Sequence, residues 1–124
     1  MATILIIEDN RANMKLATLL VRNVGHTALC AIDAETGVTL ARTEQPHLIL
    51  MDIQLPGIDG LAATSLLKHD PVTSDIPIIA LTAMAMRGDE QKTKDAGCDA
   101  YITKPLRYQE LYEAIDALLA KATP

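Results

Sequence analysis

A chain of 124 residues is the size of one domain, and folding at this length buries about two-thirds of the surface that the unfolded chain exposes. Apolar residues make up 49% and charged residues 22%, a globular mixture that excludes a disordered or low-complexity chain. With 16 acidic against 11 basic residues the net charge is −5, the wrong sign for direct contact with nucleic acid, and 2 cysteines are too few for a disulfide framework.

The chain opens Met-Ala-Thr and runs straight into Ile4–Ile7, with no basic leader and no apolar stretch of membrane-spanning length. A cytoplasmic protein with no membrane contact is expected. Ile4 to Ile7 is a short β-branched run suited to a strand buried on both faces. After the polar turn Glu8 to Arg11, the residues Leu16, Ala17, Leu20, Val21 and Val24 recur at helical spacing, and Gly25 stands where that helix should stop. A weaker strand follows from Thr27 to Ile32. Asp33 is placed to cap a helix carrying Val38 and Ala41, which ends before Pro46. Leu48 to Met51 is a third strand, apolar throughout, followed by Asp52 and a loop holding Pro56, Gly57 and Gly60. A helix is expected at about 61–69, a fourth strand over 76–81 with Pro77 near its start, and a thinly apolar helix over 84–96. Gly97 ends that helix. A short strand over 99–102 and an amphipathic helix built on Tyr108, Leu111, Tyr112, Ile115, Leu118 and Leu119 complete the chain. Strands alternating with helices predict an α/β fold, a five-stranded parallel sheet flanked by five helices with right-handed crossovers, as one unit with no linker or repeat.

Ligands of an open parallel sheet bind beyond the carboxyl ends of its strands. The residues that follow the apolar runs are Glu8 and Asp9, Asp52, Thr82, and Lys104 with Pro105. Any one of these is ordinary turn chemistry, but together they place three carboxylates, a hydroxyl and an ammonium on one edge. Clustered carboxylates invite a cation, and oxygen ligands without a neighbouring His or Cys favour Mg²⁺. A phosphoryl group on Asp52 would sit between that metal and Lys104, within reach of Thr82, since a carboxylate can act as a nucleophile towards phosphorus.

The runs Ile-Ile-Glu-Asp-Asn, Leu-Ile-Leu-Met-Asp-Ile-Gln-Leu-Pro, Ile-Ile-Ala-Leu-Thr-Ala and Tyr-Ile-Thr-Lys-Pro together resemble the response-regulator receiver domains of two-component signalling. The likeness covers essentially the whole chain. Its finer wording, Glu-Asp-Asn-Arg-Ala-Asn-Met-Lys-Leu and Ala-Met-Ala-Met-Arg-Gly-Asp-Glu, is similar to stand-alone receivers of the DivK type and to receivers of hybrid histidine kinases. The resemblance implies a flavodoxin-like fold with strand order 2-1-3-4-5. From its length the chain is expected to be a single receiver domain, 1–124, with no output domain, which departs from the family pattern. The resemblance also implies that Asp52 is the phosphoacceptor and that Asp9, Asp52 and the backbone carbonyl of Gln54 hold Mg²⁺, with Glu8 assisting directly or through water. Lys104 would bind the phosphoryl group, the bond before Pro105 would be cis, and Thr82 and Tyr101 would form a switch pair. The partners implied are a histidine kinase or histidine phosphotransferase and a downstream protein on the face of residues 84–115.

Other functions fit less well. A Mg²⁺-dependent phosphohydrolase with an aspartyl-phosphate intermediate needs a general acid, frequently an Asp two residues beyond the nucleophile, where this chain has Gln54. A flavin or nucleotide site on the same sheet would meet repulsion from Glu8 and Asp9. A regulatory phosphoacceptor rather than an enzyme is therefore expected. His26, His47 and His69 with Cys30 and Cys98 lack short-motif zinc spacing, and both cysteines are expected to pack as small apolar residues. Met84 and Met86 suit either a core plug or a partner-binding surface. Asn10 and Asn13 are candidates to cap the first helix.

Overall fold

The structure is a computed structural model in which residues 2–55, 57, 59–82, 89–104 and 106–122 are described. Its elements run β1 (Thr3–Ile7), α1 (Arg11–Asn23), β2 (Thr27–Ala31), α2 (Ala34–Glu44), β3 (Leu48–Asp52), α3 (Gly60–His69), β4 (Ile78–Thr82), α4 (Asp89–Ala96), β5 (Ala100–Thr103) and α5 (Tyr108–Ala122). The five strands form one parallel sheet in the order β2-β1-β3-β4-β5, as the family resemblance implies. Residues of β3 and β4 are buried throughout, because a parallel sheet carries helices on both faces.

Alternate strand residues feed two separate cores. Ile4, Ile6, Leu48, Leu50, Ile79 and Leu81 face Val21 of α1 and Leu111 and Ile115 of α5. Leu5, Ile7, Ile49, Met51 and Ile78 face Ala34 and Ala41 of α2 and Ala63 and Leu67 of α3. The Tyr112 hydroxyl donates to the Leu20 carbonyl at 2.9 Å, tying α5 to α1.

Caps set the helix starts. Asn10 accepts from the Asn13 N–H at 3.0 Å, Asp33 from Thr36 at 2.7 Å and Asp59 from Ala62 at 2.8 Å. Gly25 (φ 89°) and Gly97 (φ 105°) close α1 and α4 in the left-handed region, where a side chain would be strained.

Three details differ from the sequence expectations. The fourth strand begins at Ile78, not Ile76. Pro77 has no N–H to give, and the Ile78 N–H goes to Asp99 Oδ2 at 2.8 Å instead of to a neighbouring strand. That same contact keeps Asp99 just outside the fifth strand. Cys98 packs against the α2–α3 core as expected, but Cys30 is exposed, because β2 is an edge strand that one helix layer covers incompletely. Met84 and Met86 lie outside the described residues, so the expected helix over 84–96 is seen as α4 alone.

The amino ends of the strands, opposite the carboxylates, are closed by histidines. His26 Nδ1 accepts the Ala2 N–H at 3.1 Å and His47 Nδ1 accepts the Thr3 N–H at 2.9 Å. These imidazoles satisfy backbone donors at the amino end of β1.

Candidate functional site

The carboxyl ends of β1, β3, β4 and β5 bring their polar followers together, as strand pairing requires. Ile7 pairs with Met51, Asp52 with Leu81, and Thr82 with Thr103, so Glu8, Asp52, Thr82 and Lys104 stand at one level of the sheet. Glu8 is 1% exposed, Asp52 2% and Thr82 1%, whereas Asp9 is open to solvent.

Lys104 bridges the two buried acids. Its Nζ lies 2.8 Å from Glu8 Oε1 and 3.3 Å from Asp52 Oδ2. Backbone donors hold the other carboxylate oxygens: the Asn10 N–H reaches Glu8 Oε2 at 3.2 Å, and the Gln54 N–H reaches Asp52 Oδ1 at 3.0 Å. The Lys104 N–H donates to the Thr82 carbonyl at 2.6 Å, which fixes where the long side chain starts. Burial pushes the Glu8 carboxyl above the usual carboxylate range, and Asp52 adds to the rise against the opposing pull of Lys104 and the Asn10 N–H. Burial alone would lower the Lys104 ammonium. The hydrogen bond to Glu8 and the charges of Asp52 and Glu8 outweigh it, so Lys104 is raised and stays charged.

Glu8, Asp9 and Asp52 each offer a carboxylate oxygen within 4.8 Å of the others. Opposite ligands of a Mg²⁺ ion with bonds of about 2.1 Å stand about 4.2 Å apart, so small side-chain movements close this set on that ion. All donors are oxygen, the donor type that Mg²⁺ prefers. The cavity beside them, of about 670 Å³, is lined by Glu8, Asp9, Asn10, Asp52, Gln54 and Lys104 among others, which leaves room for a phosphoryl group and waters.

Tyr101 is half-buried on β5, one strand from Thr82. Thr82 pairs with Thr103, so Tyr101, two residues earlier, projects on the same face of the sheet. The bond before Pro105 lies outside the described residues. Gly60, which the sequence places in the loop before the third helix, is instead the first residue of α3 and abuts the Asp52 backbone. Its place in the loop is the sequence signal it carries, and that signal does not reveal the contact.

A sequence model described as the response regulator receiver domain matches residues 4–116. The chain belongs to that family. It is therefore a receiver of two-component signalling, a regulatory phosphoacceptor type rather than a conventional enzyme. The receiver is 42% identical over 120 residues to the polar-differentiation response regulator DivK of Brucella anthropi, covering 97% of this chain and 98% of the relative. Among solved structures it resembles the receiver domain of a Pseudomonas aeruginosa sensor histidine kinase, which has a magnesium ion coordinated in its active-site cleft. That likeness has a TM-score of 0.90 at 32% identity and covers 96% of this chain and 98% of the other. The signal receiver domain of a Syntrophus aciditrophicus signal-transduction histidine kinase superposes with a TM-score of 0.91 at 27% identity, covering 99% and 93%. Among the described residues, no helix of this receiver is long and apolar enough to cross a membrane.

Proposed function

We propose that Asp52 accepts a phosphoryl group from a histidine kinase or histidine phosphotransferase, in the cytoplasm, and that the chain signals as a single receiver unit through a surface read by another protein. The observation that carries this reading is the buried Asp52 carboxylate, held by the Gln54 N–H on one oxygen and facing the Lys104 ammonium with the other. One Asp52 oxygen forms a bond to the phosphorus of a phosphohistidine. The N–P bond breaks, and the imidazole nitrogen keeps the electron pair and takes a proton from water. Lys104 moves its hydrogen bond from Asp52 to a phosphoryl oxygen, and the Thr82 hydroxyl turns towards another. Glu8, Asp9, Asp52 and the Gln54 carbonyl would hold Mg²⁺, which when bound neutralises the crowded carboxylates and the incoming phosphoryl oxygens. Tyr101 follows Thr82 as the second half of the switch. The downstream partner reads α4, β5 and α5, the described part of the face over 84–115. A phosphohydrolase fits less well, because the residue two beyond Asp52 is Gln54, which has no acidic proton to give a leaving group.

The test is labelling by acetyl phosphate, read by mass spectrometry of the intact protein and its peptides. Label should appear only with Mg²⁺ and only on Asp52, and Asp52→Asn should abolish it while keeping the fold. Undiminished labelling of that variant would refute the assignment.

A further inference from the structure

Gly60 begins α3 without a positive φ, so no unusual backbone conformation calls for glycine there, and glycine is a poorer helix former than alanine. The reason lies in space. A Cβ at residue 60 would collide with the Asp52 carbonyl oxygen and stand 2.5 Å from Ile53 Cα and 2.9 Å from the Asp52 carbonyl carbon. These are backbone atoms that cannot rotate aside. At Gly37 and Gly97 the added atom would meet the side chains of Ile7 and Lys68 instead. The Gly60 N–H donates to the Ile53 carbonyl at 3.2 Å, and the Asp59 cap locks the same turn. The start of α3 is therefore seated on the peptide that leads from Asp52 to Gln54. The Gln54 N–H in turn holds Asp52 Oδ1 at 3.0 Å.

We infer that Gly60 is a positioning residue for the reaction at Asp52: the missing side chain lets α3 set the height of both the Asp52 carboxylate and the Gln54 carbonyl. This inference rests on the reading of Asp52 as phosphoacceptor and of Gln54 as a metal ligand. Any side chain at 60 lifts the backbone of residues 52–54 off the start of α3 and spreads the two groups, because Ala63, one turn on, seats that first turn in the core. Supporting contacts of this kind typically cost about 10- to 100-fold in metal affinity when disturbed.

The experiment compares wild type, Gly60→Ala and Leu67→Ala. Leu67→Ala weakens the same helix in the core without touching the Asp52 backbone. Melting is followed in EDTA and over a Mg²⁺ titration, alongside the rate of acetyl phosphate labelling. Both variants melt lower in EDTA. Gly60→Ala should bind Mg²⁺ at least about tenfold more weakly and label more slowly, whereas Leu67→Ala keeps the wild-type Mg²⁺ affinity. A Gly60→Ala protein with the wild-type Mg²⁺ affinity and labelling rate overturns the inference. A wild type that melts identically with and without Mg²⁺ overturns the metal reading first, and the role of Gly60 with it. If Gly60→Ala does not fold, the wild-type amide spectrum decides. The Gly60 amide, bonded to Ile53, should shift together with Gln54 as Mg²⁺ saturates, and a Gly60 signal that stays still while Gln54 moves overturns the proposal.

Discussion

Glu8 and Asp52 compete for one ammonium, and the shorter contact goes to Glu8, at 2.8 Å against 3.3 Å. With Asp9 at the rim, three carboxylates gather beside the Lys104 ammonium that bridges two of them, so a metal ion should relieve their mutual repulsion. Mg²⁺ should therefore stabilise the fold by mass action, by about 2.7 kcal/mol at a hundredfold excess over its dissociation constant. Asp52→Asn removes one charge from the excess and should melt higher than wild type in EDTA, by about 4 °C if the relief is about 1 kcal/mol. Scanning calorimetry of both proteins in EDTA and in Mg²⁺ reads this directly, and equal melting temperatures in EDTA would contradict it. Glu8 adds a pH dependence. Its carboxyl is raised in the folded state, so the fold binds that proton more tightly than the unfolded chain does. The associated stability is present at low pH and is lost as pH rises from the ordinary carboxylate value through the raised one. In EDTA, Glu8→Gln should flatten that decline in urea-unfolding free energy, and an unchanged slope would show that Glu8 is not the group responsible.

At the scale of elements, the site depends on how helices are started. α3 follows Asp52 after a short loop and is held by the Asp59 carboxylate on the Ala62 N–H and by the Gly60 N–H on Ile53. Asp59→Ala should cost about 1 kcal/mol of stability, measured by urea unfolding, since the cap's donor loses its partner. α4 is the opposite case. Its sequence, Asp-Glu-Gln-Lys-Thr-Lys-Asp-Ala, offers almost nothing apolar, and Thr93 is its buried residue among those whose side chains are described. With so little apolar surface among its described side chains, α4 is expected to open or shift at little cost, and it lies on the chain between Thr82 and Tyr101.

For the whole molecule, the two cores divide the work. The face holding α1 and α5 is tied by Leu111, Ile115 and the bond from Tyr112 to Leu20, while β5 lies at the sheet edge beside β4. On the proposed reading, a dianion at Asp52 should reach the surface through Thr82, α4 and β5, and a measurable change in the β5 side of the sheet is the expected outcome. A shift worth 1–3 kcal/mol is roughly a 5- to 150-fold change in partner affinity. Beryllofluoride, which mimics a phosphoryl group on Asp52, should change amide NMR shifts along residues 84–115. Changes confined to the loops around Asp9, Asp52 and Lys104 would eliminate this route of output.

Sequence alone placed each strand and helix, because buried parallel strands read as unbroken apolar runs and helix faces repeat on a local period. It also placed Glu8, Asp9, Asp52, Thr82 and Lys104 at strand ends, since polar residues must follow where burial stops. Strand order came from the family motifs, because periodicity says which face a residue uses but not which strand lies beside it. The tertiary structure decided what depends on neighbours distant in the chain. Cys30 is exposed because β2 falls at an edge, and His26 and His47 cap β1 because the chain brings them to its start. Lys104 divides itself between Glu8, 96 residues away, and Asp52, a geometry fixed by the parallel order of β1, β3, β4 and β5. Gly60 belongs with these: its need for empty space comes from the close passage of a backbone, which no local pattern of side chains records.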